Sequence, residues 1–241
     1  MNAPEDRYID VNGIRTRYWD EGDRDAPPVV LVHGLWMRPL MMRPLARRLR
    51  RHGFTPHRFG YRSRHGSIAD HAAALDAWLG ERFAPGQPLN FVGHSLGGVV
   101  LRALAARRPA WFEGARTVML GSPNRGSAGA AFLLRWREGR WWLGVAGREL
   151  AGEAPARLPA PLGEVGIVAG TRWRWWTRWL LDGPNDGMVR VTETCLPGAE
   201  VVTLPIGHMG LMVRRPVAEA TAHFLEKGHF GGHGEPAGGL C

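Results

Sequence analysis

Short, largely apolar runs alternate along the chain with longer segments in which apolar residues recur at helical spacing. Runs of this kind are typical of strands that are buried on both faces of a parallel sheet. The predicted strands are 29–32, 54–61, 89–92, 117–120, 165–169 and 200–204, and the predicted helices are 39–52, 68–83, 96–108 and 215–226. The alternation predicts an α/β fold with a mainly parallel central sheet and helices on both faces.

Three segments depart from this alternation. Residues 7–11 and 14–19 flank Asn12-Gly13, a dipeptide that favours the tight turn of an N-terminal β-hairpin. Residues 123–163 form an irregular insertion, which in this architecture lies like a lid above the carboxyl edge of the sheet. Residues 228–241 are rich in Gly and His, and we expect a flexible tail there, behind a single domain of residues 1–227.

Composition adds one unusual feature, which is a formal net charge of +9 at neutral pH. Lys227 is the only lysine among the 31 basic residues, and the arginines are spread along the chain without a basic tail. We therefore expect no nucleic-acid partner, and only a modest attraction to anionic surfaces. No apolar stretch in the sequence approaches the ~18 residues that a membrane-spanning helix needs.

Two observations favour a cytoplasmic location. The first residues lack the charged and then apolar layout of a signal peptide. Cys195 and Cys241 lie far apart in the sequence, and Cys241 ends a glycine-rich segment. We therefore expect no disulfide, which agrees with a reducing compartment.

The clearest chemical signal is a G-x-S-x-G motif at residues 93–97, between the apolar run 89–92 and the helix 96–108. In such a strand–turn–helix unit the turn is so sharp that only small residues fit two places before and after the serine, here Gly93 and Gly97. The turn lifts the serine hydroxyl above the sheet edge. A bare G-x-S-x-G motif arises by chance in glycine-rich chains, but this context makes Ser95 a candidate nucleophile.

A serine nucleophile needs an imidazole as general base and a carboxylate that orients the imidazole. Among the ten histidines, His208 follows the last predicted strand within a few residues, in Ile206-Gly-His-Met-Gly210. Asp182 and Asp186 are the only aspartates between Ser95 and that strand. We favour Asp186 as the acid, because Gly187 beside it permits a tight turn, and keep Asp182 as the alternative. The order Ser, Asp, His is typical of this kind of fold.

The tetrahedral intermediate of acyl transfer needs hydrogen-bond donors for its oxyanion. The backbone N–H of Leu96, at the start of the helix behind the motif, is one candidate donor. The N–H of Leu35, in the loop after the strand 29–32, is the other. We expect His33 in that loop to be a structural residue. The residues that we expect to contact the substrate are Trp36, His94 and Trp142.

Together these residues resemble the α/β-hydrolase superfamily, and within it compact bacterial esterases and lipases, including relatives of the inositol-deacylase-like lipases. The matching segments are Val-His-Gly-Leu at 32–35, Gly-His-Ser-Leu-Gly-Gly at 93–98, Leu-Gly-Ser-Pro-Asn-Arg-Gly at 120–126, Asn-Asp-Gly-Met-Val at 185–189 and Gly-His at 207–208. The resemblance implies a carboxylic-ester hydrolase that works through an acyl-serine intermediate, with no cofactor. We expect no metal, because the clustered histidines of the tail lie outside the predicted folded core.

Two other classes of function stay open. An acyl-serine intermediate reveals neither its acyl donor nor its acceptor, so an acyl-thioesterase or an acyltransferase fits the same residues. A non-catalytic binding protein that keeps the fold is the third hypothesis.

Seven of the eleven tryptophans fall in two short clusters that are interleaved with arginines. The first cluster comprises Trp136, Trp141 and Trp142 with Arg135, Arg137 and Arg140. The second comprises Trp173, Trp175, Trp176 and Trp179 with Arg172, Arg174 and Arg178. Both clusters are compatible with a site mouth that contacts an anionic membrane and takes up a lipid or small-molecule acyl ester. The alternative interpretation is that the tryptophans pack against the domain and the arginines face water.

Overall fold

The computed structural model describes residues 7–11, 14–18, 27–173 and 181–241. The strands are β1 (Arg7–Val11), β2 (Ile14–Tyr18), β3 (Pro28–Val32), β4 (Thr55–Phe59), β5 (Asn90–His94), β6 (Arg116–Leu120), β7 (Glu164–Gly170), β8 (Glu200–Leu204) and β9 (Glu235–Pro236). The helices are α1 (Arg43–Arg51), α2 (Ile68–Gly80), α3 (Leu96–Arg107), α4 (Ala128–Leu133), α5 (Arg137–Leu150), α6 (Val191–Thr194) and α7 (Arg215–Lys227).

Seven of the strands form one sheet in the order β4-β3-β5-β6-β7-β8-β9. Strands β3 to β8 are parallel to their neighbours, and β9 alone runs antiparallel, against β8. Strands β1 and β2 form a separate antiparallel pair, as predicted, although the Asn12-Gly13 turn lies outside the described residues. The mainly parallel sheet is confirmed.

Helices cover both faces of the sheet, which is also confirmed. Helices α2 and α3 pack on one face, where Leu75, Trp78 and Val99 are buried against the sheet residue Phe91. Helices α1 and α7 pack on the other face in a second apolar cluster, which contains Leu45. Burial of each such large side chain stabilises the fold by about 1.5–3 kcal/mol. Strands with apolar side chains on both faces therefore match this two-sided cover.

The insertion at 123–163 is more regular than predicted. It contains α4, α5 and a short 3-10 turn at Pro155–Arg157. Helix α5 is broken at Gly144, whose φ of 64° is left-handed, so its two halves differ in direction. The short lengths of these helices explain why no clear helical period stands out in the sequence. No described helix combines the length and the apolar character that crossing a membrane would require.

The prediction of a flexible tail at 228–241 is wrong. Phe230 is fully buried, and its N–H donates to a carboxylate oxygen of Glu200 at 3.0 Å. Strand β9 pairs with β8, which would otherwise leave an open edge on the sheet. The Gly- and His-rich composition gives no sign of this arrangement, because one buried aromatic side chain and one strand pairing are enough to fix the segment on the domain.

The prediction that the two cysteines are unpaired is also wrong. Cys195, just behind α6, forms a disulfide with Cys241 across 46 residues. The pairing arises because β9 returns the chain along β8 and brings its end to α6, with the two Cα atoms 5.4 Å apart. Because the two cysteines are paired, they no longer support the expectation of a reducing compartment.

Candidate active site

Five loops that follow β3, β5, β6, β7 and β8 meet at the carboxyl edge of the sheet. In open α/β sheets this edge is where ligands bind. Ser95 follows β5 directly, and its φ of 53° is one of two positive values among the described non-glycine residues. A Cβ on Gly97 would overlap the carbonyl oxygen of Val32, so no larger residue fits there. The close approach of α3 and β3 thus explains the strained turn at Ser95, which costs about 1–3 kcal/mol.

His208 and Asp186 face each other within this edge. His208 begins a 3-10 turn behind β8, and its Nδ1 lies 2.6 Å from Oδ2 of Asp186. Both side chains are almost fully buried. The second carboxylate oxygen of Asp186 accepts the backbone N–H groups of Met188 at 2.9 Å and Val189 at 2.8 Å. With all these donors in place, Asp186 is held as an acceptor for Nδ1–H, which leaves Nε2 of His208 free to act as a base.

The loop behind β6 passes directly under this pair. Gly121 has a φ of 56°, and a Cβ there would lie 2.9 Å from Oδ2 of Asp186 and 3.2 Å from Nδ1 of His208. Asp182, the alternative acid, is exposed at the protein surface. The structure therefore brings Asp186, and not Asp182, to His208.

Ser95 and His208 line the same cavity, which has a volume of about 250 Å³. The insertion supplies a large part of its wall through Ala130, Leu133, Leu143 and Leu150. Leu181 and Val189 add to the apolar lining. None of the described residues that line the cavity is an aspartate, glutamate, lysine or arginine. The cavity thus suits an uncharged, apolar group next to Ser95.

Leu35 and Leu96 contribute backbone donors beside the serine. Leu96 is the first residue of α3. Leu35 follows Gly34, and a Cβ on Gly34 would lie only 3.0 Å from Cβ of Ser95. Within the described part of the chain, neither N–H has a hydrogen-bond acceptor. Two unused donors near Ser95 are what an oxyanion requires.

His94 and His33 are buried behind the site. The ring of His94 packs 4.7 Å from that of His208, and its Nε2 lies 3.1 Å from the carbonyl oxygen of His208. Burial lowers the pKa of His94 well below its usual value, so the ring is neutral and Nε2–H donates to His208. Burial also lowers the pKa of His33 to about 4, and its ring stacks on Tyr61 at 4.4 Å. His94 therefore lines the cavity and supports the His208 loop, while His33 has the structural position that we expected.

Trp36 and Trp142 differ in their relation to the cavity. Trp36 lines the cavity and has a left-handed φ of 59°. Its indole N–H donates to the carbonyl oxygen of Trp142 at 2.7 Å. Trp142 itself lines a neighbouring surface groove with Trp36 and Trp136, not the cavity that holds Ser95. The first tryptophan cluster thus lies at the mouth, whereas Trp175, Trp176 and Trp179 of the second cluster fall outside the described residues.

Sequence analysis missed the polar residues that attach the insertion to the site. Arg102 on α3 is buried, and its guanidinium donates to the carbonyl oxygens of Asn124 at 2.7 Å, Leu158 and Pro159 at 3.1 Å. The buried carboxylate of Glu193 accepts the N–H of Ala128 at the start of α4. One signal was available, because an arginine within the apolar run of α3 is unusual for a buried helix face.

Among the described residues, no group of three or more His, Cys, Asp or Glu side chains is placed to hold a metal ion.

The parallel sheet, the strained serine turn and the Asp186–His208 pair together define a protein of the α/β-hydrolase fold. A family model described as the alpha/beta hydrolase family matches residues 29–224, and the chain belongs to this family. A comparison with curated protein sequences found no match.

Solved structures share the fold at low sequence identity. A lipase from Bacillus licheniformis in its mature form is 20% identical with a TM-score of 0.70, over 87% of this chain and 94% of that chain. The carboxylesterase CesB from Bacillus subtilis is 17% identical with a TM-score of 0.59, over 93% and 92%. A thioesterase domain from the curacin biosynthetic pathway is 18% identical with a TM-score of 0.57, over 94% and 100%. At these identities the likeness concerns the fold alone.

Proposed function

We propose that the protein is a serine carboxylic-ester hydrolase of the esterase or lipase type. The observation that carries the proposal is the buried contact between His208 and Asp186 at the cavity that Ser95 also lines. In this proposal Ser95 is the nucleophile, His208 the general base and acid, and Asp186 the carboxylate that orients His208. Ser95 and His208 line this cavity directly, and Asp186 contacts His208 from outside the cavity lining.

The proposed reaction has two halves. Nε2 of His208 takes the hydroxyl proton of Ser95 while Oγ attacks the acyl carbon, and the resulting oxyanion accepts the N–H groups of Leu35 and Leu96. The intermediate then collapses, and His208 returns the proton to the departing alcohol. In the second half His208 takes a proton from water, whose oxygen attacks the acyl-serine. The bond from the acyl carbon to Oγ then breaks, His208 returns the proton to Oγ of Ser95, and the carboxylic acid leaves. Asp186 stabilises the imidazolium that forms twice in this cycle.

The cavity favours a short, uncharged acyl group. Its volume of about 250 Å³ is below the ~300–1,000 Å³ of pockets that enclose drug-sized ligands. Its lining offers apolar contacts and no ionised partner for a charged acyl chain. We therefore propose an ester of a short apolar acid, from a small molecule or a lipid, with peripheral contact to an anionic membrane on the lipid route.

Acyl-thioester hydrolysis is the second candidate. The same three side chains perform its chemistry, and one solved structure that shares the fold is a thioesterase domain. The test is a matched series of p-nitrophenyl esters and acyl thioesters with the same acyl groups. The proposal expects a larger kcat/KM for the esters at every chain length, and the reverse order would replace it with the thioesterase.

Loss of activity in one variant tests the nucleophile. Ser95→Ala is expected to abolish hydrolysis of short p-nitrophenyl esters, because it removes the hydroxyl oxygen that attacks the acyl carbon. Ser67→Ala removes a hydroxyl that caps α2 and serves as the control, with activity expected to remain. Full activity of Ser95→Ala would refute the hydrolase, and no activity in the wild-type protein toward either ester series would favour the non-catalytic hypothesis.

A further inference from the structure

An exposed aromatic surface surrounds one side of the cavity mouth. We propose that this aromatic face, made of Trp36, Phe132, Trp136, Trp141 and Trp142, docks the protein on an anionic lipid bilayer. As a route by which lipid esters reach Ser95, the inference rests on the proposed function, whereas the docking itself does not.

The exposure of the tryptophans is the first observation. Trp136, Trp141 and Trp142 are 60%, 68% and 55% exposed, although tryptophan is among the most extensively buried residues of soluble proteins. All three fall within the seven residues 136–142 of the insertion, just before the break of α5 at Gly144. Contiguous apolar surface of this kind marks a contact with another molecule or with a membrane.

The apolar surface is continuous around the mouth. Trp36 and Leu133 line both the cavity and the groove that holds Trp136 and Trp142. On the other side, Met209 lines both the cavity and a second groove. The exposed apolar residues of that second groove are Leu40, Met41, Met209 and Val213. A molecule that covers this surface would therefore seal the entrance to Ser95.

The aromatic rings are held in place rather than left loose. The guanidinium of Arg64 lies 4.7 Å from the centre of the Trp141 ring and donates to the carbonyl oxygen of Trp141 at 3.1 Å. Trp141 and Trp142 meet edge to face at 5.7 Å. The bond from Trp36 to Trp142 joins them to the loop behind β3. Because these contacts already fix the rings, docking would cost little further side-chain entropy.

The charges on the same surface select the kind of bilayer. Arg135, Arg137 and Arg140 are exposed next to these tryptophans along the chain, and Glu138 is the only acidic residue in residues 135–142. Arg48, Arg214 and Arg215 line the second groove. Tryptophan prefers the membrane–water interface, and arginines near the surface attract anionic headgroups. An anionic bilayer satisfies both features, whereas an acidic protein would satisfy only the charge.

Vesicle co-sedimentation tests the docking. The Ser95→Ala protein is mixed with vesicles of phosphatidylcholine and phosphatidylglycerol in equal amounts, and with vesicles of phosphatidylcholine alone. We expect binding to the mixed vesicles that weakens as salt increases, and much weaker binding to the neutral ones. Trp136→Ala with Trp141→Ala, and separately Arg137→Gln with Arg140→Gln, should each weaken binding by about tenfold.

Matched controls lie at the opposite edge of the sheet or away from the mouth. Leu162→Ala removes an apolar side chain that is 49% exposed before the start of β7. Arg47→Gln with Arg51→Gln on α1 makes the same change in net charge as the arginine pair of the aromatic face. Both controls should bind the mixed vesicles as the parent does. Equal losses in the controls would show non-specific attraction and overturn the inference.

Two other results would also overturn the inference. One is the absence of binding to mixed vesicles at low salt. The other is a dimer in solution that Trp136→Ala with Trp141→Ala dissociates, since the aromatic face would then join two copies of the chain. Hydrolysis of soluble p-nitrophenyl esters by the wild-type protein is measured in parallel. Hydrolysis without vesicle binding refutes the docking alone, and vesicle binding without hydrolysis refutes the proposed function alone.

Discussion

The loops that carry Ser95, Asp186 and His208 and the insertion above them meet at one cavity, yet they are held in different ways. A Cβ on Gly97 would overlap the backbone of Val32, and a Cβ on Gly121 would crowd the side chains of Asp186 and His208. The insertion packs on the domain through buried apolar residues such as Leu143 and Leu150, and polar side chains also hold it. Among these, Arg102 donates to three carbonyl oxygens. The catalytic loops are thus positioned by close contacts that leave no free space, whereas the insertion also depends on single polar side chains that a substitution can remove.

The largest expected effect distinguishes the two aspartates. Asp186→Asn and His208→Ala should each lower kcat by several orders of magnitude, because the imidazole loses its orientation or is absent. Asp182→Asn is the matched control, since Asp182 is exposed, and it should leave kcat unchanged. Steady-state kinetics on p-nitrophenyl esters provides the measurement. A severe loss in Asp182→Asn with a near-neutral Asp186→Asn would reverse the assignment of the acid.

A methyl group at the base of the site should have the next largest effect. Gly121→Ala inserts a Cβ 2.9 Å from Oδ2 of Asp186, so we expect the carboxylate to move and kcat to fall about 100-fold. Gly53→Ala has the same kind of left-handed backbone, with a φ of 82°, but its Cβ meets nothing within 4 Å. This control should lose about 1 kcal/mol of stability and no kcat. Equal kcat in the two variants would contradict a tightly fixed Asp186.

A substitution that weakens the attachment of the insertion should change KM more than kcat. Arg102→Leu leaves buried carbonyl oxygens without donors and should lower the free energy of unfolding by about 3 kcal/mol. Because the insertion forms the cavity wall, KM should rise while kcat for a short ester stays within a few-fold of the wild type. Arg108→Gln, at the exposed end of the same helix, is the control. A collapse of kcat with unchanged KM would mean that Arg102 supports the catalytic loops instead.

The smallest expected effect is a pH dependence of stability from His33. Its pKa in the folded protein is about 4, so the unfolded chain, with a histidine pKa near 6.5, binds the proton more tightly. The free energy of unfolding should therefore fall as pH falls from about 6.5 to about 4, by at most about 1.4 kcal/mol per pH unit for this group. Denaturant unfolding measures the free energy of unfolding at each pH. Its slope against pH should be shallower for His33→Asn than for the wild type, whereas His52→Asn, at an exposed residue, should leave the slope unchanged. An unchanged slope in His33→Asn would contradict burial as the cause.

The same contrast explains how far the sequence could be interpreted. Glycine spacing around Ser95 and the order of loops after buried strands are local patterns, so the fold, the serine turn and the two partner loops were predictable. Arg102 binds carbonyl oxygens 22 and 56 residues away, and no local pattern encodes such partners. The tail and its disulfide depended on the open edge of β8, which only the assembled sheet reveals. The structure therefore differs from the predictions mainly at contacts between segments that are far apart in the sequence.

Covalent labelling with a fluorophosphonate tests the central claim most directly, since the probe reacts only with an activated serine and needs no knowledge of the natural substrate. Intact mass should show one added equivalent on the wild-type protein, and peptide mapping should place the adduct on Ser95. Ser95→Ala should show no adduct under the same conditions, and His208→Ala should be labelled far more slowly. An unlabelled wild-type protein, or an adduct on a serine other than Ser95, would contradict the account.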